Sequence, residues 1–343
     1  MIDKETFRAA VLTTIGQPLE IQDLYFPELT SGQVLVQNLL SGVCRSQLME
    51  VQGVRGDDKW LPHLLGHEGY GIVREVAGDV KKVVPGDLVI ASWIKGDGID
   101  AVPPSYESTT NIRVNSGSVT TFSEYSVISE SRVFIAPQGF KEEILPLFGC
   151  AFLTGAGMVL NFLRNVSESS VAVYGFGGVG MSAAVVLRGM NPRELIIIER
   201  SAEKRALATS LGFENVTAPE DNLLRSKKFD YCIEAAGSVE SIKAAWDLLE
   251  RNGTLVFASH PPQGQVIALD PHDLIKGKRI FGTWGGNVSP DKDLPRIATL
   301  LRNSDLNLET LVGKLFSLSE VNSALSYLES GSPGRPILDF RRH

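Results

Sequence analysis

This sequence is sparing with its metal-binding and its basic residues alike. Histidine occurs five times and cysteine three times in 343 residues. Cysteines at 44, 150 and 232 are too few and too scattered for a disulfide framework, so any that matter are expected to act as thiols, either ligands or nucleophiles. No Lys/Arg-rich run interrupts a chain of net charge -7. That argues against nucleic acid or an anionic membrane as partner, since either needs a basic face. Nor does any stretch reach the roughly 18 uninterrupted apolar residues of a membrane span. The opening MIDKETFRAAVLTT lacks the apolar core of a signal peptide, and a cytoplasmic protein is expected.

What is present is ordinary globular composition, 43% hydrophobic and 21% charged, in a chain long enough for two domains. From residue 8 to about 135, short alternating segments such as QVLVQNLLSGV, GYGIVREVA and GDLVIASW are broken by Gly, Pro and Asp. This pattern predicts an all-β unit with few helices. Residues 94–118 are polar, rich in Gly, Pro and Ser, and aperiodic, which predicts a long surface loop. Near residue 150 the rhythm changes: FLTGAGMVLNFLRNV reads as a helix, and then strand and helix alternate for about a hundred residues. Such alternation predicts βαβ units around a parallel sheet covered on both faces, an α/β fold. Two helices, around DKDLPRIATLLRNS and LSEVNSALSYLESG, and a last strand, RPILDF, complete the chain.

Within the alternating region, YGFGGVG sets Gly175, Gly177 and Gly180 at G-x-G-x-x-G spacing, between an apolar strand and a helix that begins with Gly178 and Val179. The first glycine permits a tight turn and the second lets a pyrophosphate approach the backbone. The third lets helix and strand pack closely, with the helix N-terminus toward the anion. The next strand, LIIIE, ends in Glu199, 19 residues after Gly180, where an acid bonds both ribose hydroxyls of NAD. A carboxylate there repels a 2'-phosphate, so NAD is expected over NADP, although the adjacent Arg200 is placed to meet such a phosphate.

In the β-rich half, LLGHEGYGIV puts His67 beside Glu68, with Cys44 in SGVC before the pair and Cys150 in LFGC after it. Together with the nucleotide fingerprint, this pattern resembles the zinc-dependent medium-chain alcohol dehydrogenases over nearly the whole chain. The resemblance implies a β-rich GroES-like catalytic domain at 1–151 and 284–343, and a Rossmann dinucleotide-binding domain, a doubly wound parallel sheet, at 152–283. It also implies one catalytic zinc on Cys44, His67 and Cys150, a set that leaves a fourth tetrahedral position open for water or substrate. Glu68 matches the family's carboxylate beside the metal, Ser46 the hydroxyl that takes the proton of the alcohol, and Thr154 the residue that packs on the nicotinamide. Arg45 and Arg335 match residues that meet the cofactor pyrophosphate. Substrate is then a small-molecule alcohol or carbonyl, a polyol or sugar hydroxyl included. Trp93 and Trp284 resemble pocket-lining positions that the sequence alone does not separate from core. The stretch GQVIALD to RIFGTW resembles an edge for pairing sheets between subunits, which implies a homodimer or homotetramer.

Three departures accompany the resemblance. Residues 94–118 contain no cysteine, so a second, structural zinc is not expected. The family's Asp three residues after the first cysteine is Gln47, which is expected to hold His67 by its amide oxygen. The histidine that ends the proton relay is Met49, which carries no proton. Two other readings remain: a zinc-free NAD(P)H reductase of the same superfold, against which the Cys/His set counts, and a non-catalytic nucleotide-binding protein.

Overall fold

The computed structural model describes residues 5–342; residues 1–4 and 343, at the outer limits of the expected first domain, lie outside the described part. The chain forms two compact units. Among the described residues one comprises 5–150, 289–291 and 312–342, the other 151–288 and 292–311.

The first unit is built on strands whose alternate residues are buried. Gln33–Gly42 is its central strand, pairing antiparallel with Glu68–Val76, with Tyr125–Ser129 and, through Leu40, Ser41 and Gly42, with Arg335–Asp339 near the C-terminus. A second, five-stranded sheet includes Thr6–Leu12 and the two-residue strand His63–Leu64. Their apolar faces meet in a core where Leu12, Leu65 and Phe122 lie with Phe316, Val321 and Leu338. Residues from both ends of the sequence therefore share one core.

The second unit holds a six-stranded parallel sheet. Its spatial order is Val216–Thr217, Glu194–Ile198, Ser170–Tyr174, Phe229–Glu234, Leu249–Phe257, Arg279–Gly282. Numbered along the chain that is 3-2-1-4-5-6, the doubly wound Rossmann order. The strand order reverses between Ser170–Tyr174 and Phe229–Glu234, the crevice where such sheets bind ligands. The α/β class and the parallel sheet expected from the strand–helix rhythm are both present.

Four details differ from the sequence reading. Arg45–Val51 is a helix inside the β-rich region, too short for a periodic signal. The stretch 94–118 contains a small hairpin, Ser105–Glu107 with Arg113–Asn115, anchored by buried Tyr106, whose hydroxyl accepts from the Val127 amide at 3.0 Å. GQVIALD carries no strand; only Arg279–Gly282 of the expected pairing region does. Residues 284–288 and 292–311 cluster with the nucleotide unit, and only 289–291 and the residues from 312 onward with the first, in place of a single crossing at 284. The helix Pro290–Arg302 opens the segment 292–311, and its Leu294, Ile297 and Leu301 are buried, as an amphipathic helix packed along one stripe requires.

Because Leu338 on the last long strand is fully buried, Leu338→Ala is expected to lower stability by about 2–5 kcal/mol. The exposed Ile135→Ala should stay within about 0.5 kcal/mol of the parent. Urea unfolding followed by circular dichroism reads both.

Candidate active site and metal centre

Cys44 occupies the N-cap of the helix Arg45–Val51, His67 lies immediately before the strand Glu68–Val76, and Cys150 follows the helical turn Glu142–Gly149. These segments are far apart in sequence, yet one ligand atom from each lies within 4.8 Å of the others. All three belong to the first unit. Two sulfurs and an imidazole nitrogen make a soft, zinc-like donor set with three protein ligands. His67 Nε2 is buried without a hydrogen-bond partner, as is Ser46 Oγ. An orphaned ring nitrogen between two thiols fits a metal better than it fits a packed core.

Charge is arranged to favour anionic sulfur. The hydrogen bond from Cys150 holds Cys44 well below the ordinary thiol range, and Arg335 and His67 add to this against the cost of burial. That same bond, with burial, pushes Cys150 up. A divalent cation between the two sulfurs would take the place of that hydrogen bond. At His67 burial opposes charge, but Cys44 and Glu68 outweigh it and raise the imidazole pKa.

Glu68 has no exposure at all, and Arg335, 6% exposed, meets its Oε1 with Nε at 3.2 Å. Arg335 also donates from Nη1 to the Val43 carbonyl at 3.3 Å, one residue before Cys44. Burial pulls the guanidinium pKa down, but Glu68 and the two thiols more than compensate. The carboxylate fits because residue 42 has no side chain: a Cβ on Gly42 would stand 2.4 Å from Glu68 Oε1. The ion pair between Glu68 and Arg335 left no trace in sequence spacing, since its members come from strands at opposite ends of the chain.

Gln47 reverses its expected polarity. Its Oε1 accepts a short hydrogen bond from the Gly66 amide, so it is Nε2 that faces His67 Nδ1, at 2.9 Å. A backbone N–H can only donate, and it claims the oxygen that was expected on the imidazole. The side chain of Met49 is half-buried. His63, buried, lies between the Leu64 carbonyl at 2.9 Å and Asp58 Oδ2 at 2.7 Å, with Glu50 Oε1 4.0 Å away. Asp58 comes from an irregular segment and carried no signal. Trp93 is partly buried, its ring 6.4 Å from that of His67.

The other predicted residues belong to the second unit, except exposed Arg45. Gly175 has φ +95°, and a Cβ on Gly180 would stand 1.9 Å from the Gly175 carbonyl oxygen. Gly177, the N-cap of the helix Gly178–Met190, has nothing within 4 Å of its Cβ position, the open approach an anion needs. Val179 lies in that helix's first turn. Glu199 follows directly after the strand Glu194–Ile198, which stops one residue before the expected strand end, with Oε2 accepting from the Phe176 amide and Oε1 from the Ser201 amide, both at 2.7 Å. Arg200 is exposed. Thr154 is buried in the helix Ala151–Phe162, its hydroxyl without a partner. Trp284 is 62% exposed and stacks edge-on with His260, so it is not core.

Comparison with known proteins gives consistent matches. The model of the alcohol dehydrogenase GroES-like domain matches residues 30–138, and that of zinc-binding dehydrogenases matches 178–303. An S-(hydroxymethyl)glutathione dehydrogenase of Escherichia coli is 30% identical, the match covering 97% of this chain and 99% of the relative. A crystal structure of an alcohol dehydrogenase zinc-binding domain protein from Burkholderia ambifaria superposes with TM-score 0.90 at 25% identity, covering 98% of this chain and 99% of that one. Benzyl alcohol dehydrogenase from Acinetobacter calcoaceticus shares the fold, with TM-score 0.87 at 24% identity over 98% and 99% of the two chains. Among the described residues no single helix is long and apolar enough to cross a membrane.

Removing the guanidinium strands a fully buried carboxylate. Arg335→Met is expected to cost about 3–5 kcal/mol, and Arg335→Met with Glu68→Gln to recover much of the loss. Denaturant midpoints of the two variants and the parent measure the difference.

Proposed function

Since the chain belongs to the zinc-dependent medium-chain alcohol dehydrogenase family, we propose that Cys44, His67 and Cys150 are its zinc ligands and that it moves a hydride between an alcohol hydroxyl and NAD. The protein is an oxidoreductase of the zinc-linked, nicotinamide-dependent kind. The observation that carries the residue assignment is the convergence of two thiols and an orphaned imidazole nitrogen within 4.8 Å. When bound, zinc supplies a Lewis acid that polarises the hydroxyl oxygen, and the nicotinamide supplies the hydride acceptor.

The remaining work falls to the chain's own groups. Ser46 Oγ, buried and unpartnered, receives the proton that the alcohol gives up. Glu68, fixed by Arg335, tunes exchange at the metal. Gly175, Gly177, Gly178, Val179 and Gly180 form the pyrophosphate turn, and Arg45 and Arg335 keep the cofactor-binding assignment that the family resemblance gives them. Thr154 orients the nicotinamide. Glu199 takes the ribose hydroxyls with the lone pairs its backbone bonds leave free. Its charge selects NAD over NADP, with Arg200 the residue that moderates the preference.

The cysteine supply supports a single thiolate-ligated zinc per chain; Glu50, Asp58 and His63 also converge within 4.8 Å, but without a sulfur. No cysteine lies in 94–118, and Cys232 is buried in the nucleotide unit, where desolvation pushes its thiol up. The substrate class is a small-molecule alcohol or carbonyl, and Trp93 beside His67 is the residue to narrow the pocket. S-(hydroxymethyl)glutathione and benzyl alcohol belong in the first substrate panel because relatives carry those names. The exposed edge strand Arg279–Gly282, with half-exposed Phe281, supports pairing into a homodimer or homotetramer. A cytoplasmic location agrees with the reduced thiols that zinc ligation needs.

The test is zinc per chain by elemental mass spectrometry, for the parent and Cys150→Ser, together with NAD- and NADP-linked turnover over the alcohol panel. About one equivalent in the parent, lost with turnover in the variant, is expected for a site with three protein ligands. A parent that takes up no zinc even on reconstitution would favour the zinc-free reductase.

A further inference from the structure

The hydrogen bond between Gln47 and His67 runs in the direction that hinders metal binding. The side-chain amide of Gln47 is oriented by its surroundings. Its oxygen faces the Gly66 N–H, which can only donate, and its nitrogen lies 3.5 Å from Glu50 Oε2, which accepts. Turning the amide over would set N–H against N–H at Gly66 and oxygen against carboxylate at Glu50. Two neighbours therefore agree on one orientation, and in it the NH2 group donates to His67 Nδ1 at 2.9 Å. A ring nitrogen that accepts carries its lone pair toward the donor, so the single proton of a neutral imidazole sits on Nε2. Nε2 is the ring nitrogen without a partner, and the one left for the two cysteines.

We propose that Gln47 is a positioning residue that holds His67 in the tautomer unable to ligate, so that zinc is bound only when the Gln47 amide turns and the ring proton moves to Nδ1. The proton balance is internal: Nε2 gives up its hydrogen and Nδ1 gains one, which then needs an acceptor, the turned Gln47 oxygen. The turn breaks the bond from Gly66 and sets the amide nitrogen against that N–H. Zinc is thereby bound more weakly and exchanged more readily than at a site whose partner to the histidine is an acceptor from the start. This inference rests on Cys44, His67 and Cys150 being the ligands.

An isosteric change tests it. Gln47→Glu offers two acceptor oxygens, one for Gly66 N–H and one for Nδ1–H, with no turn required. Because Glu50 lies 3.5 Å away, the change is made together with Glu50→Gln, and Glu50→Gln alone is the reference. Competition with a chelator is expected to show the double variant holding zinc at least about tenfold more tightly than the reference, the lower end of what a hydrogen-bonding partner of a ligating histidine contributes. Long-range 1H–15N correlation on histidine-labelled parent protein stripped of zinc is expected to place the His67 proton on Nε2, moving to Nδ1 when zinc is restored. Equal or weaker zinc affinity in the double variant overturns the inference, and so does a proton on Nδ1 in the stripped parent. If none of the chains takes up zinc, the ligand assignment falls as well, which separates the two failures.

Discussion

The first unit turns on one buried charge. Glu68 sits where water cannot reach it, and an isolated carboxylate in such a place costs far more than a domain's stability allows. Arg335 supplies a counter-charge, and it arrives on a strand that pairs with Leu40, Ser41 and Gly42. The same guanidinium holds the Val43 carbonyl at the entrance to Cys44 and contributes to keeping that thiol acidic. Backbone register, buried ion pair and thiol acidity are thus one arrangement. A slip of the last strand by one residue would turn Arg335 to the opposite face.

Around this pair the site divides its labour by rigidity. Cys44 caps a short helix, and Cys150 ends a turn whose Gly149 carbonyl accepts from buried Ser92 at 2.6 Å. His67 is held between the Gln47 amide and the ring of Trp93. Cys44 and Cys150 are thus fixed by neighbours that do not themselves ligate, whereas His67 is oriented by an amide that has to turn before the ring can ligate. Ser46, two residues after Cys44, has a buried hydroxyl with nothing to satisfy it, which is a reason to expect a ligand atom there.

The sequence exposed what is encoded locally and concealed what depends on distant partners. The glycine spacing at 175, 177 and 180 and the acid at 199 are consecutive features of one strand–turn–helix–strand unit, and their geometry is as the spacing implies. Cys44, His67 and Cys150 were legible because each sits in its own short motif. The helix Arg45–Val51 was not, because seven residues give fewer than two turns of periodicity. The hairpin in 94–118 was hidden by its three-residue strands, and the direction of the Gln47 bond by Gly66, whose amide competes for the same oxygen. Nothing within thirty residues of Arg335 indicated its carboxylate partner.

The division of the chain also sets an order of assembly during synthesis. The six strands of the nucleotide sheet lie between Ser170 and Gly282 without a detour, so that sheet can close as soon as its last strand leaves the ribosome. The β-rich unit, though its first residues emerge earliest, waits for Arg335–Asp339 to cover the open flank of Gln33–Gly42. Until that strand is made, the Arg335 guanidinium is not there to meet Glu68. A chain cut short before Arg335 would thus carry every strand of the nucleotide sheet and a catalytic unit without its closing strand.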